Sequence, residues 1–170
     1  LDISLNDSLT GDQFHMFKEK FAILKELFCF SCGGLTDENL CILLRSLSKI
    51  ESVDISSTDF KGEGLLDLQI EWPNIEKVNF SYCNSLTNNG LANIFRISGN
   101  KVKSVYVEGC SVTGKGLLAY QEKLSNLEEL HCFDCTNLSE RDFTQIFSLK
   151  NIQTLDISAT NFTGEGLWMY

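Results

Sequence analysis

Apolar residues recur along this chain in fixed columns. Seven four-residue segments align without a gap: LDIS from Leu1, LFCF from Leu27, VDIS from Val53, VNFS from Val78, VYVE from Val105, LHCF from Leu130 and LDIS from Leu155, their starts 25 to 27 residues apart. A fixed period of this size is the signature of a stacked array. The first and third positions of each segment are apolar, and a further apolar residue stands three positions before six of them: Leu24, Ile50, Ile75, Val102, Leu127 and Ile152. Such alternation predicts a strand with one buried face. A small polar residue or Cys follows, five after each start: Asn6, Cys32, Thr58, Cys83, Cys110, Cys135 and Thr160. There the chain turns inward, and a side chain able to hydrogen-bond satisfies backbone groups the turn exposes.

Beyond the turn two more apolar columns appear, from Leu9 to Phe162 and from Phe14 to Leu167. Thr10, Thr36, Thr87, Thr113, Ser139 and Thr163 stand where a helix N-cap is wanted, and Thr10 with Gln13 fits a capping box. After the caps, apolar residues take helical spacing, as in Leu40, Leu43, Leu44 and Leu47. The third unit departs from this. Its tail, Leu66 to Pro73, ends in the chain's single proline, which predicts a short or irregular segment. One unit cannot bury its own apolar face; stacking on neighbours does so.

Written once, the unit is L-x-x-L-x-L-x-x-C/T/N, a short gap, then L-[T/S/K]-x-x-x-L and an amphipathic tail. In this form the chain resembles the leucine-rich repeat family, and most closely the cysteine-containing subtype of F-box substrate receptors and their AMN-like relatives. Leu35-Thr36-Asp37-Glu38-Asn39-Leu40 is the best match to that subtype's L-T-D-x-x-L box. The resemblance spans essentially the whole chain. It implies an α/β solenoid of about seven repeats, with a curved parallel sheet on the concave side and helices on the convex side. It implies a single domain over 1–170, read as a piece of a longer solenoid, and a role in substrate recognition for a ubiquitin ligase. A secreted effector carrying such repeats has the same pattern.

Charge narrows the partners. The net charge of −9 argues against nucleic acid, whose binders need a basic surface, and against an anionic membrane. It mildly favours a basic partner. No run of 18 apolar residues is present, so no membrane insertion is expected.

Three motifs invite chemistry. Cys29-x-x-Cys32 and Cys132-x-x-Cys135 resemble a zinc set, but they lie four units apart, about 19 Å at strand spacing, and occupy the inward and turn columns. All seven cysteines read as reduced and structural, which implies an intracellular compartment. Four glycosylation triplets, at Asn6, Asn79, Asn137 and Asn161, read as products of Asn- and Ser/Thr-rich turns. Asn6 is expected in the buried turn column; used triplets would place the chain outside the cell. The Gly-x-Gly pairs at Gly62/Gly64, Gly114/Gly116 and Gly164/Gly166 are helix entries, not a phosphate cradle. Neither histidine has a thiol expected to be exposed beside it, so no catalytic, metal or cofactor site is assigned and no enzyme activity is expected.

What remains is the outward face of the strands. Phe28, Phe30, Asp54, Asn79, Tyr82, Tyr106, Glu108, His131, Phe133 and Asp156 are the candidate partner-binding residues. Exposed aromatics concentrate binding energy, and interleaved carboxylates suit a protein or peptide with basic and apolar groups. The expected function is therefore protein–protein interaction on the concave face. The alternatives are a structural subunit of a large assembly and an extracellular receptor ectodomain.

Overall fold

The computed structural model describes residues 1–12, 14–66 and 71–165. Six short strands, β1 (Glu26–Phe28), β2 (Ser52–Asp54), β3 (Lys77–Asn79), β4 (Ser104–Tyr106), β5 (Glu129–His131) and β6 (Thr154–Asp156), form one sheet in chain order. Every neighbouring pair is parallel, and the register matches column to column: Leu27 beside Val53, Val78, Val105, Leu130 and Leu155. Strict succession without crossover is what a stacked repeat demands, because each return path must lie on the same side of the sheet. The segment at Leu1 contributes an isolated parallel bridge, Asp2 to Phe28, in place of a seventh strand.

The return paths carry α1 (Lys18–Phe21), α2 (Asp37–Arg45), α3 (Asn88–Ile97), α4 (Gly114–Leu117) and α5 (Glu140–Phe147), with 3-10 turns at Phe14–Phe17, Glu63–Leu65 and Gln121–Leu124. Thr36, Thr87, Thr113 and Ser139 cap α2 to α5 through their side-chain oxygens, Thr36 and Ser139 in full capping boxes. α1 has Phe17 at its cap position and no side-chain cap bond; Gln13, the partner expected for Thr10, lies outside the described residues, as does Leu167 of the last apolar column. The third unit, expected to be irregular, has only the 3-10 turn before residues 67–70, which are likewise outside the description. It then closes on Trp72, which is buried and bridges Ser98 in parallel. Helices pack about 8–10 Å apart and strands about 4.8 Å apart, so the layered stack bends with its sheet on the inside.

Between the layers lies one continuous core. Leu27, Val53, Ile55, Val78, Phe80, Val105, Val107 and Leu130 are fully buried, and Phe60 stacks on Phe80 with ring centroids 5.7 Å apart. The turn column joins successive units. The thiols of Cys32, Cys83, Cys110 and Cys135 donate to the carbonyls of Ile3, Ile55, Phe80 and Val107 in the preceding unit, at 3.0 to 3.2 Å. Thr58 and Thr160 instead donate within their own unit, to Ile55 and Ile157. Asn6 breaks the expectation of burial: it is exposed.

One column was not anticipated. Leu5, Ser31, Ser57, Tyr82, Gly109, Asp134 and Ala159, four after each segment start, all take left-handed φ of 51 to 64°. Only one is glycine. A left-handed non-glycine residue costs roughly 1–2 kcal/mol, and from Leu5 to Asp134 each is held by a ladder bond from its N–H to the next unit, as Ser57 to Ser81 and Tyr82 to Glu108.

Candidate functional site on the open sheet face

Alternation along each strand decides which side chains leave the core. Leu27 and Cys29 are buried, so Phe28 and Phe30 face outward and are half-buried on the open side. The register then lays Phe28, Asp54, Asn79, Tyr106, His131 and Asp156 side by side across six strands. Phe30, Glu108 and Phe133 form a second row two residues on. Tyr82 belongs to the left-handed column, not to either row. It stands on the rim, 45% exposed, its ring over Gly109, where an added Cβ would come within 2.7 Å of Tyr82 Cδ1.

The face divides into two aromatic ridges and a polar floor. Phe28 and Phe30 make the first ridge, on β1. The second is built on β4 and β5. Tyr106 and His131 stack with centroids 4.5 Å apart and planes 16° from parallel. The Tyr106 hydroxyl donates to Glu129 Oε2 at 2.7 Å, Lys77 Nζ sits 4.9 Å from the Tyr106 ring centre, and Glu108 Oε1 lies 3.8 Å from His131 Nδ1. Burial first, then the bond to Glu129, pushes the Tyr106 phenol up to about 12. The same hydroxyl is the chief reason that the Glu129 carboxyl is held below its usual range. Phe133 extends this ridge and is 37% exposed.

On the floor, β2 and β3 carry small polar groups that satisfy each other. Asp54 Oδ1 accepts from the Ser56 amide at 3.0 Å and hydroxyl at 2.6 Å, and its Oδ2 accepts from Asn79 Nδ2 at 2.9 Å. Asn79 Oδ1 accepts from the Ser81 amide. At the far edge Asp156 Oδ1 repeats the bond to Ser158, whose hydroxyl and then amide lower the Asp156 pKa. The structure thus gathers Tyr106, His131 and Glu108, with Asp156 beside His131, holds Phe28 and Phe30 apart from them, and engages Asp54 and Asn79 with their own sheet.

Glu129 and Lys77 were missed. They lie one position before the segment start, and a period of two places that position on the same face as the two rows. Counting from the first apolar residue left the column out.

Chemistry beyond recognition has little to draw on among the described residues. No group of three or more metal-ligating side chains converges, and no helix is long and apolar enough to cross a membrane. All seven cysteines are free and buried. Burial pushes the thiols of Cys41 and Cys110 up to about 12 and that of Cys29 higher, away from the reactive thiolate. His15 is exposed on a 3-10 turn, its Nδ1 3.1 Å from the Asp12 carbonyl. Of the glycosylation triplets, Asn137 and Asn161 use Nδ2 to bond the preceding unit's backbone, at Ser111 and Thr136, and Asn79 uses its own on Asp54.

Comparison with known proteins agrees with this architecture. No family model matches the chain. A putative F-box/LRR-repeat protein 23 of Arabidopsis thaliana is 24% identical over 135 residues, which cover 76% of this chain and 30% of that protein. The chain therefore spans less than a third of the length of this relative. Among solved structures, the tropomodulin C-terminal domain of Caenorhabditis elegans superposes with a TM-score of 0.52 at 12% identity, over 95% of this chain and 88% of that one. The leucine-rich repeat domain of the type III effector XopL gives a TM-score of 0.43 at 14% identity, over 87% and 64%. The column pattern and the six-stranded parallel sheet give the chain a leucine-rich repeat fold.

Proposed function

We propose that the open sheet face is a binding surface for a protein or peptide partner, basic in character. A leucine-rich repeat fold and an F-box/LRR-repeat relative are what an interaction module has, and they supply the coarse reading. The observation that supports the finer one is the Tyr106–His131 stack ringed by Glu108 and Glu129. Aromatic rings held rigid at a water interface, with carboxylates around them, lose little conformational freedom on binding and attract cations. In the setting suggested by the relative, that partner is a substrate presented to a ubiquitin ligase. The role proposed is recognition and not catalysis: all seven thiols are buried, and Asp54 and Glu129 are tied into hydrogen bonds.

An intracellular location goes with this reading. Reduced thiols at the repeat joints and side-chain amides of Asn137 and Asn161 spent on the neighbouring unit support it. Mass spectrometry of the native protein finding glycan on either asparagine would exclude it.

The face itself is tested by replacing Phe28, Tyr106 and Phe133 together by Ala. Partner capture should be lost while the circular dichroism spectrum is unchanged, because none of the three is fully buried. Undiminished capture removes the proposal.

A further inference from the structure

The shape and hydrogen-bond state of the face say what kind of backbone it takes. This inference rests on the reading above, that the face binds a polypeptide. Between the ridge of Phe28 and Phe30 on β1 and that of Tyr106 on β4 lie three inter-strand steps, about 14 Å. The side chains between them are small: Ser52, Asp54 and Ser56 on one strand, Asn79 and Ser81 on and after the next. Two aromatic walls and a low floor make a trough running along the strands.

Most of the floor's hydrogen-bonding capacity is spent on the sheet itself. Asp54 accepts three hydrogen bonds, Asn79 both donates and accepts, and the Ser81 hydroxyl accepts from the Glu108 amide at 3.3 Å. The strand backbones are paired on both sides by the parallel ladder. An extended peptide laid in the trough would bury more amides than the Ser52 and Ser81 hydroxyls and the second Asn79 N–H can partner, each excess one costing about 1–3 kcal/mol. An α-helix bonds its own backbone, and with side chains it measures about 10–12 Å across, which the trough accommodates. Each strand is three residues long, about 10 Å, room for about two helical turns.

Charge sets which flank faces which wall. Glu108, Glu129 and Asp156 stand on or behind the second ridge, and Glu26 precedes the first. The basic side chains in these rows are Lys77, already over the Tyr106 ring, and the His131 imidazole, beside Glu108. We propose that the trough holds an amphipathic α-helix of the partner, its apolar stripe on Phe28, Phe30 and Tyr106 and a Lys- or Arg-bearing flank toward β4–β6.

The test is a selection on the intact protein from two displayed peptide libraries of equal length, one constrained to helix by side-chain staples and one of linear segments with proline at every fourth position. Winners from the helical library with apolar residues at i, i+3 or i+4 and i+7 and net positive flanks are expected. Their affinity should fall at least tenfold on Tyr106→Ala and severalfold on paired Glu108→Gln and Glu129→Gln, while Tyr106→Phe keeps most of it. Each variant's melting curve is recorded so that loss of binding is read only on folded protein. Linear winners that lose affinity on Phe28→Ala overturn the helix and leave the face standing. Helical winners with acidic or neutral flanks overturn the charge assignment. Winners indifferent to both Phe28→Ala and Tyr106→Ala overturn the face as well.

Discussion

Two stretches of this chain are near copies: Val53-Asp-Ile-Ser-Ser-Thr-Asp-Phe60 and Leu155-Asp-Ile-Ser-Ala-Thr-Asn-Phe162. Their local structures are nearly superimposable. Asp54 and Asp156 each accept from the amide two residues on, at 3.0 and 2.9 Å. Thr58 and Thr160 each donate to the isoleucine carbonyl three residues back, both at 2.7 Å. Ser57 and Ala159 share a left-handed φ of 55°, and Gly62 and Gly164 sit at 79 and 80°. Their environments differ. Val53, Ile55 and Phe60 are fully buried between two neighbouring units, whereas Leu155, Ile157 and Phe162 are half-buried at the edge of the sheet. Asp54 is also tied to Asn79 across the sheet. The same residues therefore build the same turn in either place, but how much they stabilise depends on what is stacked against them.

Paired substitutions separate these two layers. The largest difference is expected for Ile55→Ala against Ile157→Ala: about 2–5 kcal/mol at the buried site and under about 2 kcal/mol at the edge, measured by urea unfolding. Equal costs would mean that burial between units adds nothing. Next comes Thr58→Val against Thr160→Val. Thr58 is buried and also lies 3.6 Å from Cys83 Sγ, so its loss should cost about 1 kcal/mol and that of Thr160 about half as much. Ser57→Gly and Ala159→Gly should agree with each other in sign and within about 0.5 kcal/mol, since relief of left-handed strain is local to the residue. A clear disagreement would make the left-handed column a product of stacking.

The smallest effect is electrostatic. The Asp156 pKa is lowered by Ser158, so this contact stabilises the fold above the unfolded carboxyl range and the contribution is lost as pH falls through the folded value, below about pH 4. Ser158→Ala should raise the Asp156 pKa toward its ordinary value in an NMR titration and flatten that acid-side loss. An unmoved titration would remove the hydroxyl as its main cause.

Most of the fold was legible because its determinants are periodic and short-ranged. Strand columns, the caps at Thr36, Thr87, Thr113 and Ser139, and the turn role of the cysteines each repeat at a spacing of 25 to 27 residues, so any one copy supports the others. The outward rows were legible for the same reason. The use of each member was not. Asp54 and Glu108 look alike in sequence, yet Asp54 is consumed by Ser56 and Asn79 while Glu108 stands beside His131. Alternation places Glu129 on the face, but its bond to the hydroxyl of Tyr106, 23 residues earlier, was not legible.

The sequence by itself determined the period, the inward columns and the turns, because these follow from alternation, capping and small-residue chemistry within one unit. Tertiary structure alone decided three further things. It added, at Tyr82, Asp134 and four like positions, a hydrogen bond from the left-handed residue's N–H to the next unit's carbonyl. It stacked Tyr106 on His131, since parallel register brings equal columns side by side. It left Asn6 and Leu155 partly uncovered while Cys83 and Val78 in the same columns are buried, since the hydrophobic effect acts on area removed from water and that area belongs to pairs of units, not to one.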